Sequence, residues 1–212
     1  MECLAYAAHE LRTPLTLQRA LLELALADPN ADLATWREIG EGVLRACKQQ
    51  ERTLEACLTL ARSAHDDHCF EAVDLAAIAC NTLRVHERHP LTTLVALEPA
   101  PTTGDPSLLE RLTANLVSNA IRHNVAGGRI EVATRSERGR AVLSVTNTGP
   151  VVPPGELARL FKPFQRLSPS ADGVGLGLTI VQAIADRHRA TLTARARTGG
   201  GLGIDVAFAA LL

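Results

Sequence analysis

Apolar side chains at helical spacing run through the first 64 residues, and this pattern constrains the fold more than any other feature of the chain. They recur every three or four positions from Leu4 to about Ala27 and again from about Leu33 to Ala64. Such spacing is typical of amphipathic helices. The segment Asp28-Pro29-Asn30 interrupts the pattern, so we expect two helices that form an antiparallel hairpin.

A hairpin this apolar would leave much of its apolar stripe in contact with water. Pairing two copies of the chain into a four-helix bundle buries that stripe, so the pattern favours a homodimer. The alternative is that the hairpin packs within one chain, as a helical cap on the rest of the protein.

The pattern changes after His65-Asp66-Asp67-His68 to short helices between alternating, β-branched segments. We take this polar tetrad as the boundary between a helical domain, residues 1–68, and a second domain, residues 69–212. Asp105-Pro106 predicts a helix start that runs to about Asn124, and a further helix is expected over Leu176 to His188. The predicted strands are Leu91 to Leu97, Arg129 to Arg135, Ala141 to Thr146, Ala190 to Ala196 and Gly203 to Ala209.

Short polar turns such as Ser136 to Gly139 join neighbouring strands and indicate antiparallel hairpins. The predicted fold class is therefore α plus α/β. It consists of a helical hairpin that forms a dimeric four-helix bundle, followed by an α/β sandwich whose mixed sheet packs on helices.

The charge balance restricts the classes of partner. Lys plus Arg number 22 and Asp plus Glu number 23, which gives no electrostatic reason to expect nucleic acid or an anionic membrane as the partner. The five cysteines are odd in number and form no C-x-x-C pair, as in a protein of a reducing compartment. No apolar stretch approaches the roughly 20 residues of a membrane-spanning helix, so we expect no membrane segment within this chain.

Three clusters carry residues suited to chemistry, and the first is the string from His9 to Thr16. A neutral imidazole is nucleophilic, and Glu10 is placed to orient the His9 ring and accept its proton. Pro14 removes one helical hydrogen bond, so we expect a kink just after the histidine.

The second cluster lies on the helix after Asp105. Asn115 and Asn119 are four residues apart, so their amides project from one face, with Arg122 and His123 one turn further on. Uncharged oxygen ligands suit Mg²⁺, which takes phosphate oxygens as partners.

The third cluster is built on glycine. Asn147-Thr148-Gly149 follows a strand, and Gly173, Gly175 and Gly177 precede a helix, where backbone amides can approach phosphates closely. The spacing matches neither a Rossmann fingerprint nor a P-loop. The Leu160 to Arg166 segment between these sites carries two phenylalanines and is typical of a mobile lid.

Together the clusters resemble, in this order, the phospho-acceptor box, asparagine box, adenine-binding turn, lid and glycine-rich box of sensor histidine kinases. The resemblance covers essentially the whole chain. It implies that His9 is autophosphorylated, that Glu10 is the base, and that Thr13 aligns water for dephosphorylating a partner. It further implies ATP and Mg²⁺ as cofactors, with Asn119 as the metal ligand. The implied ATP-binding residues are Asn115, Asn119, Arg122, His123, Asn147, Gly149, Arg166, Gly173, Gly175 and Gly177.

One departure concerns the adenine-binding turn, where the family usually has aspartate in place of Asn147 and glycine in place of Val151. An amide oxygen can still accept a hydrogen bond from the adenine amino group, so we expect the site to work.

The resemblance also implies a homodimer, transfer of the phosphoryl group to the receiver domain of a response regulator, and a cytoplasmic portion of a membrane-anchored sensor. Contact with a membrane would come only through N-terminal segments absent from this chain. Two alternatives remain open. The protein acts chiefly as a phosphatase on its regulator, or it is a non-catalytic dimerisation and docking module with an impaired nucleotide pocket.

Overall fold

A computed structural model describes residues 2–29, 31–63, 70–86, 89–165 and 175–211. The chain divides into two compact units, Met1–Thr59 and Leu60–Leu212. The predicted boundary tetrad, residues 65–68, lies outside the described residues.

The first unit is the expected helical hairpin. Helix α1 spans Glu2–Ala27 and helix α2 spans Leu33–Ser63. The Gln18 amide donates hydrogen bonds to Cys47 Sγ at 3.3 Å and to Gln50 Oε1 at 3.1 Å. Leu21 lies against Gly42, where an added Cβ would come within 3.3 Å of Leu21 Cδ1. Gln18 meets Cys47 and Gln50, whereas the later Leu21 meets the earlier Gly42, so the two helices are antiparallel.

Asp32 fixes the start of α2. The Thr35 backbone N–H and hydroxyl donate to Asp32 Oδ1 at 2.8 and 2.7 Å. These hydrogen bonds favour the ionised carboxylate and lower the pKa of Asp32. Because the folded-state pKa is lowered, the stabilisation is present above the carboxyl's ordinary pKa and is lost as the pH falls through the lowered value.

The second unit is built on a five-stranded mixed sheet. Its strands lie in the order β2-β4-β5-β7-β6, and β2 is parallel to β4 whereas the other neighbours are antiparallel. A two-stranded sheet pairs β1 with β3. The strands are β1 Glu71–Asp74, β2 Thr92–Leu97, β3 Pro101–Gly104, β4 Arg129–Glu137, β5 Arg140–Asn147, β6 Thr191–Ala196 and β7 Leu202–Ala209.

Three α-helices pack on this sheet: α3 Leu75–Val85, α4 Pro106–Arg122 and α5 Gly177–Arg187. Burial alternates along β4 and β7, as expected for a sheet with one covered face. The covered face and the helices share a core of aliphatic side chains and one phenylalanine. Its largest fully buried members are Phe208, Leu75, Leu109, Leu112, Leu116, Ile130, Leu143 and Ile184. The expected α plus α/β architecture is confirmed.

Four elements were not predicted from the sequence: β1, α3, β3 and a 3₁₀ helix over Pro154–Phe161. Helix α3 is capped by Asp74, whose carboxylate accepts from Ala76 N at 3.0 Å and from Ala100 N at 2.9 Å. Strands β1 and β3 are each four residues long, which is too short for an alternating apolar and polar pattern to stand out.

His188 joins the end of α5 to the start of α4. Its Nε2 accepts a hydrogen bond from the Asp105 N–H at 3.1 Å, so its Nδ1 carries the proton and donates to the Ile184 carbonyl at 2.8 Å. The ring stacks on Phe70 with centroids 4.8 Å apart and meets Phe208 edge-on at 5.9 Å. The imidazole therefore fills a junction between three parts of the second unit.

We predict that His188→Ala lowers the free energy of unfolding by about 2–4 kcal/mol, because it leaves the Asp105 N–H unpaired and empties the space between two rings. Urea denaturation monitored by circular dichroism measures this change. His86→Ala is the matched control, since His86 also caps a helix and its Nδ1 bonds the Thr82 carbonyl at 2.9 Å. The control substitution should lower the free energy of unfolding by about 1 kcal/mol or less. Equal losses in the two variants would contradict the junction role.

Candidate functional site

The first cluster lies on α1, which continues without a break through Pro14. The side chains of His9 and Glu10 lie outside the described residues, so their geometry stays a prediction. Thr13 is exposed on the helix surface, and the Thr16 hydroxyl donates to the Arg12 carbonyl at 3.0 Å. The structure therefore places the sequence string on a helix and leaves Thr13 accessible to a partner.

Helix α4 presents the second cluster. The Asp105 carboxylate caps the helix by accepting from Leu108 N at 3.1 Å and from the Ser107 hydroxyl at 2.7 Å, and Pro106 occupies the first turn. Arg122 and His123 are exposed at the other end of the helix. One side of α4 is buried in the core through Leu108, Leu109, Leu112, Thr113, Leu116, Val117 and Ala120.

Asn115 and Asn119 are half-buried, one turn apart on α4. The Asn115 amide donates to the Arg111 carbonyl at 2.8 Å. Its Oδ1 lies 3.4 Å from the point where a side chain at Gly177 would begin, so the helix asparagines and the start of α5 are neighbours. The structure thus brings together residues that lie 62 positions apart in the chain.

The amide of Asn119 makes no hydrogen bond to any described residue, so its oxygen is available to a ligand. Within the described ranges no group of three or more His, Cys, Asp or Glu side chains could hold a metal ion. An uncharged oxygen donor beside nucleotide phosphates is a suitable ligand for Mg²⁺, which keeps several waters and binds few protein groups. The residues present therefore fit the implied magnesium ion.

The third cluster contains a hydrogen-bond network at the end of β5. Asn147 is 5% exposed, and its Nδ2 donates to the Thr148 carbonyl at 2.7 Å and to the His123 carbonyl at 3.3 Å. His123 is the residue after α4, so this amide ties the end of that helix to the end of the strand.

Asn124 and Thr148 extend this network and were not among the predicted site residues. The Asn124 Nδ2 donates to the Ala120 and Arg129 carbonyls at 3.1 and 3.0 Å, and its Oδ1 accepts from the Thr148 hydroxyl at 2.6 Å. The Arg129 N–H donates to that hydroxyl at 2.8 Å. Polar residues in a turn were the only signal in the sequence, because the partners lie up to 24 positions apart.

Glycines allow the backbone to approach this network. A Cβ at Gly149 would lie 2.4 Å from the His123 carbonyl oxygen. A Cβ at Gly201 would lie 1.9 Å from the Asn147 carbonyl oxygen, and Gly201 has a φ of +98°, a region that favours glycine. Gly149 was predicted as a site residue, whereas Gly201 was not, since its partner strand is distant in sequence.

The lid and the glycine-rich box are partly described. Leu160 and Phe161 end the 3₁₀ helix, and the Phe161 carbonyl accepts from the Thr179 hydroxyl at 3.2 Å. Gly175 has a φ of +73°, and its carbonyl accepts from Phe164 N at 2.9 Å. The predicted site residues Arg166 and Gly173 lie outside the described residues.

Family matches cover both units. Residues 1–66 match the His Kinase A (phospho-acceptor) domain, and residues 104–210 match the family described as histidine kinase-, DNA gyrase B-, and HSP90-like ATPase. Within the described part of the chain, no helix has the length and apolar character needed to cross a membrane.

The chain is also similar to a curated sensor protein and to histidine kinases of known structure. The sensor protein CutS of Streptomyces coelicolor is 45% identical over 205 residues, which cover 92% of this chain and 49% of CutS. The chain thus spans about half the length of this curated relative. The solved structure of the mycobacterial sensor histidine kinase MprB is 31% identical with a TM-score of 0.61, covering 67% of this chain and 98% of that one. The histidine kinase ThkA, solved in complex with the response regulator protein TrrA, shares the fold, with 18% identity, a TM-score of 0.75, and coverage of 98% and 60%.

We predict that Gly201→Ala lowers the free energy of unfolding by about 3 kcal/mol or more, because the new methyl group meets the Asn147 carbonyl and the backbone is left-handed. Chemical denaturation measures the loss. The control is Gly127→Ala, since Gly127 has a φ of +67° but open space around it. That variant should lose only about 1–2 kcal/mol. A similar loss in both variants would mean that the close approach at Gly201 does not matter.

Proposed function

The chain belongs to the two-component sensor histidine kinases, and on that premise we propose that it is a kinase core that autophosphorylates His9 from Mg-ATP. One observation carries the proposal: a phospho-acceptor match over residues 1–66 and an ATPase match over residues 104–210 occur in the same chain. We extend these matches to domains of residues 1–68 and 69–212.

His9 supplies the nucleophile. One imidazole nitrogen attacks the γ-phosphorus in line, the bond to the leaving ADP oxygen breaks, and Glu10 accepts the ring proton. The exposed position of the neighbouring Thr13 supports access to this part of α1. Positioning and neutralisation of the phosphate charge contribute most of the rate enhancement.

The nucleotide is proposed to bind between α4, the turn after β5 and the start of α5. Asn119 would hold Mg²⁺, and the bound ion would neutralise charge on the phosphates. Asn115 and Arg122 approach the phosphates, and His123 lies near the nucleotide. The free amide of Asn119 and the contact between Asn115 and Gly177 support this arrangement. The remaining proposed contacts are Asn147, Gly149, Arg166, Gly173, Gly175 and Gly177.

The hairpin is proposed to pair with a second copy. Large apolar side chains on the surface of the hairpin stay exposed in the single chain. Proteins without a partner rarely expose large apolar patches, so this exposure favours an interaction surface. A four-helix bundle of two hairpins would bury them. These side chains include Leu15, Leu17, Leu24, Leu26, Leu33, Leu44, Leu54 and Leu58, each at least 49% exposed.

The phosphoryl group is proposed to pass from His9 to an aspartate in the receiver domain of a response regulator. The shared fold with ThkA, solved with TrrA, supports a partner of this class. Thr13 is proposed to align water for the reverse reaction, removal of phosphate from the regulator. We place the chain in the cytoplasmic portion of a membrane-anchored sensor, in keeping with the greater length of CutS.

We predict that His9→Gln abolishes phosphoryl transfer to the protein and leaves nucleotide binding intact, because the acceptor nitrogen is lost while the second domain is unchanged. Incubation with Mg²⁺ and γ-labelled ATP should give acid-labile, base-stable label on the wild-type chain alone. His86→Gln is the control and should keep the label, since among the described residues His86 forms hydrogen bonds only with the Thr82 and Leu83 carbonyls of α3. Label that persists on histidine in His9→Gln would refute the assignment.

We predict that Asn119→Ala raises the Kd of Mg-ATP by about tenfold or more, since losing a single contact of about 1.4 kcal/mol corresponds to a factor of ten. Calorimetry measures the change. Ser118→Ala is the neighbouring control on α4 and should bind Mg-ATP as the wild type does. An unchanged Kd in Asn119→Ala would remove Asn119 from the proposed site.

A further inference from the structure

Strand β2 forms one edge of the main sheet, and no other described strand pairs with its outer side. We propose that this outer edge binds the same edge of a second copy of the chain, so that two main sheets join through an antiparallel pair of β2 strands. The contact lies in the second unit and is separate from the proposed four-helix bundle of the first unit. It goes beyond the proposed function, because it requires neither nucleotide nor His9.

One row of backbone groups on β2 is unused. The N–H groups of Thr92 and Glu98 donate toward β4 over 3.0 and 3.1 Å. Because backbone groups along a strand alternate between its two sides, those of Thr93, Val95 and Leu97 point away from β4. No described residue accepts a hydrogen bond from these three N–H groups. Such a row of donors and acceptors is a template for a further strand.

The side chains of β2 are exposed on both faces of the sheet. Val95 is 53% exposed, although it pairs with Val132, which lies on the same helix-covered face and is 1% exposed. Val132 is covered because β4 has a strand on each side, whereas β2 has a strand on one side only. Leu94, on the opposite face, is 48% exposed. A further strand beside β2 would therefore bury apolar surface on both faces.

The sequence of β2 lacks the usual protection of an edge strand. Charged residues and proline on an edge strand discourage pairing with another chain, and Thr92–Leu97 contains neither. The opposite edge of the sheet, β6, provides a contrast. It carries Arg195, which is exposed and forms an ion pair with Asp205 of the neighbouring strand β7. The chain therefore protects one edge of the sheet by charge and leaves the other open.

A second copy of β2 fits this edge by symmetry. In an antiparallel pair, residues whose backbone groups point outward lie opposite one another, which places Val95 opposite the partner's Val95. Thr93 then lies opposite the partner's Leu97, and about six backbone hydrogen bonds form across the pair. No like charges meet along the strand, and the formal net charge of −1 gives little repulsion between copies. Because this pairing satisfies two open edges at once, a second copy is favoured over an unrelated strand.

The β2 contact would add a second interface to each chain. The proposed bundle pairs two hairpins, and each of the paired chains still has an open β2 edge. Two isologous contacts on different surfaces build either a closed tetramer or an open chain of dimers. The β2 edge would therefore join dimers into larger assemblies as the protein concentration rises.

The experiment measures the mass of the full chain by analytical ultracentrifugation over a range of concentrations, without nucleotide. At the highest concentration the wild type should have about twice the mass of the Val95→Lys variant or more. Val95→Lys should raise the dissociation constant of this association by about tenfold or more, because two ammonium groups then face each other across the two-fold axis. Thr193→Lys is the control and should associate as the wild type does. It adds the same charge at an exposed position of the other edge strand, β6.

Two further variants test the register and the backbone row. Val95→Glu alone should also dissociate, whereas an equimolar mixture of Val95→Glu and Val95→Lys should regain the larger mass, because opposite charges then meet at the axis. Val95→Pro should weaken association by about tenfold or more, since it removes the central outward donor but no hydrogen bond to β4. Urea denaturation should give midpoints close to that of the wild type, and the remaining variants decide the result if one fails to fold.

The proposal would be overturned by a wild type whose mass matches that of Val95→Lys at every concentration. It would also fail if Thr193→Lys lost association equally, or if the mixture of opposite charges stayed dissociated. The outcome is independent of the proposed hairpin dimer. If that dimer does not form, Val95→Lys is a monomer, and the wild type still doubles its mass through β2.

Discussion

Helix α4 carries the asparagines of the proposed nucleotide site on one side and a stripe of buried apolar residues on the other, and hydrogen bonds hold both of its ends. At its start, Asp105 caps the helix and donates its own N–H to His188. At its end, the His123 carbonyl accepts from Asn147. The burial of the stripe holds the helix against the sheet, and these two directional contacts further define its position along its axis. The rest of the site depends on that position.

The parts of the fold that follow from local patterns were predictable. The three-and-four spacing of apolar residues gave the hairpin, and Asp105-Pro106 gave the start of α4, because periodicity and capping act within a few residues. The alternating segments gave the five strands of the main sheet. The turn from Ser136 to Gly139 also predicted the antiparallel pair of β4 and β5. The rest of the strand order could not be predicted: β2 pairs in parallel with β4 across an intervening strand and helix, and such pairing depends on contacts that no local pattern encodes.

The candidate site also contains parts that the sequence predicted and parts that it did not. The asparagine spacing on α4 and the glycines near α5 were visible in the sequence, since residue type and spacing alone suggest phosphate and metal chemistry. The hydrogen bonds from Asn147 to His123 and from Thr148 to Asn124 were not visible in the sequence, because each joins residues 24 positions apart. His188 was also not identified, as nothing in its local sequence indicates Phe70 or Asp105 as partners. Sequence patterns thus predicted the groups proposed to contact a ligand better than the groups that hold those side chains in place.

The hydrogen bonds of Gln18 have a consequence for how the hairpin can move. Gln18 reaches from α1 to Cys47 and Gln50 on α2 over distances of 3.3 and 3.1 Å. Moving one helix along the other by a full turn, about 5.4 Å, would separate all three side chains. Shifts along the axis are therefore resisted by a polar contact as well as by packing, whereas small rotations of one helix about its own axis can keep the contact.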